Sequence, residues 1–175
     1  MHGKDADPSH KWYPWFATEM QTRNIAFEAP TLPETNNPDC DAWVEALDAM
    51  QPDDNTILVG HSRGGVAILR WLETLPTSRR VRKVILVATN SGKLAMNSQT
   101  TSNRNFFTEK GYDFAAIREH CNDFIVLHSQ DDQTVSFDAG KENAQGLDAR
   151  FHAFDDRGHF GKKILTIPEL LEEIK

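Results

Sequence analysis

The chain has 175 residues, enough for one domain with a substantial core, and its 39% hydrophobic and 26% charged residues are those of an ordinary globular protein. A formal net charge of −7 argues against a nucleic-acid surface, which needs clustered Lys and Arg; the one basic run, Arg79-Arg80-Val81-Arg82-Lys83, reads as a solvated turn before a strand. No apolar stretch reaches membrane-spanning length, the polar N-terminus is no signal peptide, and Cys40 and Cys121 show neither metal-like nor disulfide-framework spacing, so a cytoplasmic protein with reduced thiols and no membrane partner is expected.

The chain opens in a loop, Met1 to Pro8. A helix should begin near Lys11 or Trp12, because Pro14 is tolerable only in a first turn, and should end near Arg23. Asn24-Ile25-Ala26-Phe27-Glu28-Ala29 reads as a strand stopped by Pro30, and the Pro- and Asn-rich piece from Thr31 to Pro38 as a loop. Asp39 can cap a helix with Trp43, Leu47 and Met50 on one face. Then Thr56-Ile57-Leu58-Val59 reads as a buried strand, and the stretch from Gly65 to Leu75 as a helix that stops before Pro76.

Lys83 to Ala88 is apolar enough for a strand covered on both faces. Ser91 to Asn105 is polar and irregular, and a short helix is predicted from Asp113 to His120. A buried strand over Asp123 to His128 leads into the loop Ser129-Gln130-Asp131-Asp132-Gln133-Thr134-Val135. A helix from Phe137 to Gly146, a strand from Ala149 to Phe154 and a turn from Asp155 to Phe160 follow. Thr166-Ile167-Pro168-Glu169 has capping-box form and should start a last helix that turns Leu170, Leu171 and Ile174 inward. Strands alternating with helices predict an α/β fold, a three-layer α/β/α sandwich on a mostly parallel sheet, in one domain spanning residues 1–175.

Between the strand at Thr56 and the helix after Gly65, Gly60-His61-Ser62-Arg63-Gly64 fits G-x-S-x-G, the nucleophile elbow. The motif is short, and the strand before it and helix after it are what give it meaning. A serine nucleophile needs a general base in reach, and the base needs an acid to fix its tautomer. In a doubly wound sheet these groups belong at the carboxyl ends of strands, where Ser62, the Asp131-Asp132 pair and His159 all fall. Their order, Ser then Asp then His, is that of α/β-hydrolases. His159 is the expected base. Asp132 is preferred over Asp131 as the acid, because Asp132-Gln133-Thr134-Val135 has the usual Asp-x-x-Val form, and Asp131 is left to cap or to face water. His152 and His128 belong to strands, His10 and His120 lie near helix ends, His2 shapes the opening loop, and the side chain of His61 should point away from the serine hydroxyl. The oxyanion hole needs two backbone N–H groups, expected from Arg63 and, on the loop His2-Gly3-Lys4, from Lys4. Trp12, Leu94, Phe106 and Phe107 could line an acyl pocket, though aromatic residues at such spacing are core at least as often.

The chain resembles the small serine hydrolases related to retinoblastoma-binding protein 9, a branch of the α/β-hydrolase superfamily. The resemblance covers nearly the whole sequence. It is carried by His2-Gly3, Trp12-Tyr13-Pro14-Trp15, Gly60-His61-Ser62-Arg63-Gly64-Gly65, Arg70-Trp71-Leu72-Glu73, the loop from Ser129 to Val135 and Gly158-His159-Phe160. It implies a compact hydrolase with a minimal cap, acting on small acyl esters with no cofactor and no metal, with Ser62, Asp132 and His159 on the family's triad positions. A monomer or weak dimer is expected. Arg63 departs from the pattern, standing where such elbows more often carry an apolar residue; it could attract a substrate carboxylate or simply cover the helix start. A second departure is that these folds place a central strand before the His-Gly loop, whereas only Met1 precedes His2 here. The expectation is a truncated N-terminus, with upstream residues raising stability when restored, unless Ile25 to Ala29 pairs directly with Ile57 to Val59.

The alternative function is a non-catalytic interaction module on the same fold, since fold alone does not fix activity. The Leu-x-Cys-x-Glu motif that binds the retinoblastoma pocket is absent around both cysteines. A flavodoxin-like nucleotide binder would want a glycine-rich phosphate loop, which His2-Gly3-Lys4-Asp5 does not supply.

Overall fold

The apolar run Lys83-Val84-Ile85-Leu86-Val87 becomes an interior strand because both its faces are covered. In the computed structural model, which describes residues 1–94 and 105–174, β1 (Ile57–His61), β2 (Lys83–Val87), β3 (Phe124–Ser129) and β4 (Arg150–Phe154) form one parallel sheet in that order. Alternation assigns the faces. Val84, Leu86, Phe124 and Val126 pack on one side, with α2 (Cys40–Ala49), α3 (Arg63–Thr74), α4 (Phe114–Arg118) and α5 (Phe137–Leu147). Ile85, Val87, Ile125 and Leu127 pack on the other, with α1 (Tyr13–Thr22) and α6 (Pro168–Glu172). The three layers follow from this period of two. All crossovers return the chain in one direction, so the carboxyl ends of the four strands share one rim. Of the irregular stretch from Ser91 to Asn105, residues 95–104 lie outside the described residues.

Most predicted helices form where expected. Asp39 caps α2 by accepting a hydrogen bond from the Ala42 N–H at 3.2 Å. Trp43 and Leu47 are buried in the core, with Met50 half-buried at the end of the same face. The predicted capping box before α6 does not form. Ile167, not Thr166, occupies the cap and makes no side-chain cap bond, and Glu169 instead accepts from Arg157 at 3.2 Å. The reason is Pro168, which disfavours helical backbone at the residue before it, so Ile167 cannot be the first helical residue.

The predicted strand over Asn24 to Ala29 is also absent. Asn24 takes a positive φ of 54° and closes α1: its N–H donates to the Gln21 carbonyl and the Ile25 N–H to the Met20 carbonyl, both at 3.0 Å, the two bonds of a Schellman stop. Residues 25–30 then run without ladder pairing, leaving Ile25 and Phe27 exposed. Between this segment and β1 lies a groove of about 690 Å³ lined by Trp12, Phe16, Ile25, Phe27, Ile57 and Val59. The edge of β1 is met there by Met1, whose ammonium donates to the Val59 carbonyl at 2.7 Å while its carbonyl accepts from the His61 N–H at 3.0 Å. A strand needs a partner for its N–H and C=O groups, and Ile25 to Ala29 has none within reach.

Candidate active site

At the end of β1 the chain turns sharply. Ser62 has φ 53° and ψ −122°, a conformation that costs a non-glycine residue about 1–3 kcal/mol and is found where surrounding structure enforces it. The enforcing contacts are local. The Ser62 N–H donates to the Val87 carbonyl of β2 at 2.9 Å, and the Ser62 carbonyl accepts from Gly65 and Val66, so α3 starts at once. The motif glycines let the helix sit this close. A Cβ on Gly60 would lie 2.5 Å from the Gly65 Cα, and one on Gly64 would lie 2.5 Å from the Met1 and His2 carbonyl oxygens. The N-terminus of α3, with its positive dipole end, therefore faces the serine.

Two residues from other loops reach Ser62. The Ser62 hydroxyl is 3.0 Å from His159 Nε2, and His159 Nδ1 is 2.7 Å from Asp132 Oδ2. A carboxylate only accepts, so the His159 proton sits on Nδ1 and the Nε2 lone pair faces the hydroxyl. Burial opposes the charge of Asp132, but hydrogen bonds from His128, His159 and the Val135 N–H outweigh it and hold the carboxyl well below the usual carboxylate range. Asp132 divides its oxygens: Oδ1 accepts from the Thr134 and Val135 N–H groups at 2.8 and 3.0 Å, leaving Oδ2 for the imidazoles. The group is thus an ionised, fixed acceptor. An imidazole so oriented can take the serine proton and be stabilised once it carries it.

Asp131 has more than the capping or solvated part expected of it. It accepts from the Ser129 hydroxyl at 2.6 Å and the Gly158 N–H at 2.8 Å, while Ser129 Oγ accepts from the Arg157 N–H at 3.0 Å. These bonds tie the end of β3 to the turn that carries His159. His128, fully buried, lies 3.4 Å from Asp132 Oδ2 and donates to the Val135 carbonyl at 3.1 Å. His61 points away from the serine, but into a bonded position: Nε2 is 2.8 Å from the His159 carbonyl and Nδ1 is 3.0 Å from the Tyr13 hydroxyl. The sequence placed both histidines and carried Tyr13 in its aromatic motif, but gave none of the three a bonding role. The available signal was a polar residue ending each of two otherwise apolar strands, which a buried sheet tolerates only where a partner waits.

Of the expected oxyanion donors, Arg63 is the first residue of α3, directly after Ser62. Lys4 follows Gly3, whose backbone passes so near that a Cβ there would lie 3.0 Å from the Ser62 Cβ. The Arg63 guanidinium lies 5.4 and 5.7 Å over the rings of Phe106 and Phe107, a cation–π arrangement. The four expected pocket residues divide. Trp12 and Phe106 are packed in the core, Trp12 against Tyr13 and Phe106 against Trp43, and this burial is the bland alternative for aromatic residues at such spacing. Leu94 is exposed and Phe107 half-buried. The groove beside β1 has neither Ser62 nor His159 in its lining.

Three other histidines are bonded elsewhere. His120 bonds the Arg79 carbonyl, His152 the Glu173 carboxylate and His2 the Leu32 N–H. Burial pushes the Cys40 thiol up to about 12 and the Cys121 thiol up to about 11, so neither is a ready nucleophile. Among the described residues no cluster of three or more His, Cys, Asp or Glu could hold a metal ion, and no helix is long and apolar enough to cross a membrane.

Comparison with known proteins agrees with this geometry. A sequence model of the serine hydrolase family matches residues 1–164. YdeN of Bacillus subtilis (strain 168) is 32% identical over 162 residues, 91% of this chain and 83% of that protein. The serine hydrolase RBBP9 of Rattus norvegicus is 27% identical over 154 residues, 87% of this chain and 79% of that protein. The crystal structure of the B. subtilis ydeN gene product superposes with a TM-score of 0.89 at 28% identity, covering 99% of this chain and 93% of that one. The fold alone is shared with the esterase RhEst1 from Rhodococcus sp. ECU1013, at a TM-score of 0.64 and 18% identity over 99% of this chain and 86% of that one.

Proposed function

Since the chain belongs to the serine hydrolase family, which its residues 1–164 match, we propose that it is a carboxylesterase-like enzyme cleaving small acyl esters through Ser62, His159 and Asp132. One observation carries the reading: the Ser62 hydroxyl and the Asp132 carboxylate lie 3.0 and 2.7 Å from opposite nitrogens of one imidazole. His159 Nε2 takes the hydroxyl proton as Ser62 Oγ attacks the acyl carbon. The oxyanion that forms is held by the Arg63 and Lys4 N–H groups at the start of α3 and on the opening loop. Collapse expels the alcohol, which leaves with the proton from His159, and the acyl group stays on Ser62 as an ester. Water, deprotonated by the same nitrogen, then attacks the acyl-enzyme and releases the acid. Leu94 and Phe107, the two expected pocket residues that keep exposed surface, are the candidates for the wall that meets the acyl chain. Two buried free thiols suit a cytoplasmic setting.

The test pairs a fluorophosphonate probe with nitrophenyl esters of increasing chain length. Wild type should be labelled and should turn over the short esters. Ser62→Ala should lose labelling and drop kcat on the order of 10⁴-fold or more. A folded wild type that is neither labelled nor active overturns the reading and favours a non-catalytic interaction module.

A further inference from the structure

His61 is fully buried, and both its nitrogens lie within hydrogen-bond distance of a partner, which offsets the cost of burying the ring. One faces a backbone carbonyl, that of His159, at 2.8 Å; because a carbonyl can only accept, Nε2 carries the proton. Burial and the nearby Lys11 cation press the ring well below the usual histidine range, so it stays neutral and Nδ1 is an acceptor. Nδ1 therefore receives the Tyr13 O–H at 3.0 Å. The loop beside Ser62 packs on the same ring: a Cβ on Gly3 would lie 3.2 Å from His61 Nδ1. Each nitrogen of the His61 ring thus has a single role.

From this continuity we propose that Tyr13 and His61 act as a positioning pair, fixing the backbone of the base His159 relative to the oxyanion loop at Gly3 and Lys4. The inference rests on the hydrolase reading above. Its reasoning is geometric. His159 sits on a turn after β4, 97 residues from Ser62, and the ring must stay within hydrogen-bond distance of the hydroxyl. His61 is covalently next to Ser62, so a bond from His61 to the His159 backbone references the base directly to the nucleophile. Tyr13 holds the ring at its other nitrogen, and Gly3 on the oxyanion side packs against that ring. The His61 and His159 rings also lie 5.0 Å apart, with Trp12 edge-on to His61 at 6.3 Å, so the pair is held by packing from both sides. A misplacement of about 1 Å in such a constellation costs on the order of 10²-fold in rate.

The experiment compares His61→Leu, His61→Gln and Tyr13→Phe with wild type, measuring kcat and KM on one short nitrophenyl ester well below each variant's Tm. His61→Leu should lower kcat by about 10- to 100-fold with KM little changed. His61→Gln keeps a donor for the His159 carbonyl and an acceptor for Tyr13, and should recover most of the loss. Tyr13→Phe should fall between them. In parallel, proton NMR follows the His159 Nδ1–H signal, which should broaden or vanish in His61→Leu and return in His61→Gln. Unchanged kcat in His61→Leu, or equal losses in Leu and Gln, overturns the positioning role. If wild type itself lacks Ser62-dependent turnover, the hydrolase reading fails separately, and the NMR signal alone decides: its survival in His61→Leu overturns the pair, its loss there and return in Gln upholds it.

Discussion

Acetylating the Met1 nitrogen should stabilise the protein, by an amount that grows as the pH falls. The nitrogen sits at the edge of β1, where it donates to the Val59 carbonyl, and burial lowers its pKa from 8.0 to about 5. An ammonium there carries three protons, where a ladder position uses one. In the unfolded chain the amine keeps its ordinary value. Between pH 8 and pH 5 the unfolded state therefore binds more protons than the folded state, and stability must rise with pH across that window. The amine's destabilising effect is near zero at pH 9, on the order of 1 kcal/mol at pH 7 and a few kcal/mol at pH 5. An amide nitrogen supplies the one ladder proton with no charge, so the acetylated protein should gain those amounts. Urea unfolding of both forms at each pH from 5 to 9 gives the difference directly, free of other titrating groups common to both. A short apolar extension ahead of Met1 should give the same pH-dependent gain. It should add a pH-independent increment from pairing along Ile57 to Val59 and covering the groove. A difference between acetylated and free chains that stays flat from pH 5 to 9 would refute the buried-amine argument.

Two further outcomes separate roles within the site and core. Asp132→Asn should fold yet lose about 10⁴-fold in kcat, because an amide facing His159 Nδ1 no longer enforces the tautomer that leaves Nε2 free; steady-state kinetics on a short ester check this. The same carboxyl is held below its unfolded value, so its stabilising contribution is complete above about pH 4 and is lost on further acidification; the gap between wild type and Asp132→Asn in denaturant should close in that direction. Phe106→Ala should cost about 3–5 kcal/mol in urea unfolding with KM for short esters unchanged, as befits a fully buried ring against Trp43. A KM change without loss of stability would return Phe106 to the pocket wall.

What could be read in the sequence was what neighbouring residues decide. Val84 to Val87 of β2 and Phe124 to Leu127 of β3 are unbroken apolar runs because each strand is covered on both faces, and such runs are visible in any window that contains them. The elbow is visible for a related reason: the close approach of α3 to β1 is written into glycines a few residues from the serine. The failures sit where a partner distant in sequence decides. Ile25 to Ala29 has strand composition, but strand structure is a property of a pair, and among the described residues no ladder joins it to β1. Trp12 and Phe106 could be core or pocket wall on composition alone, and burial against Tyr13 and Trp43 chose core.

His61 shows where the boundary lies. Alternation along β1 is enough to say that its ring leaves the sheet on the face opposite to its neighbours, and hence away from the Ser62 hydroxyl. Alternation is silent on what the ring meets there. Its two partners are 48 and 98 residues away, on α1 and on the turn after β4, and neither distance has a local signature. The argument can be run the other way, however. A histidine ending an apolar strand and turned into a covered face is costly unless both nitrogens are bonded. A buried histidine beside Ser62 therefore directs the search to a buried donor and a buried acceptor near that residue. In this fold the acceptor is the backbone of His159, the proposed base, so the residue before Ser62 is bonded to the residue whose ring meets the Ser62 hydroxyl.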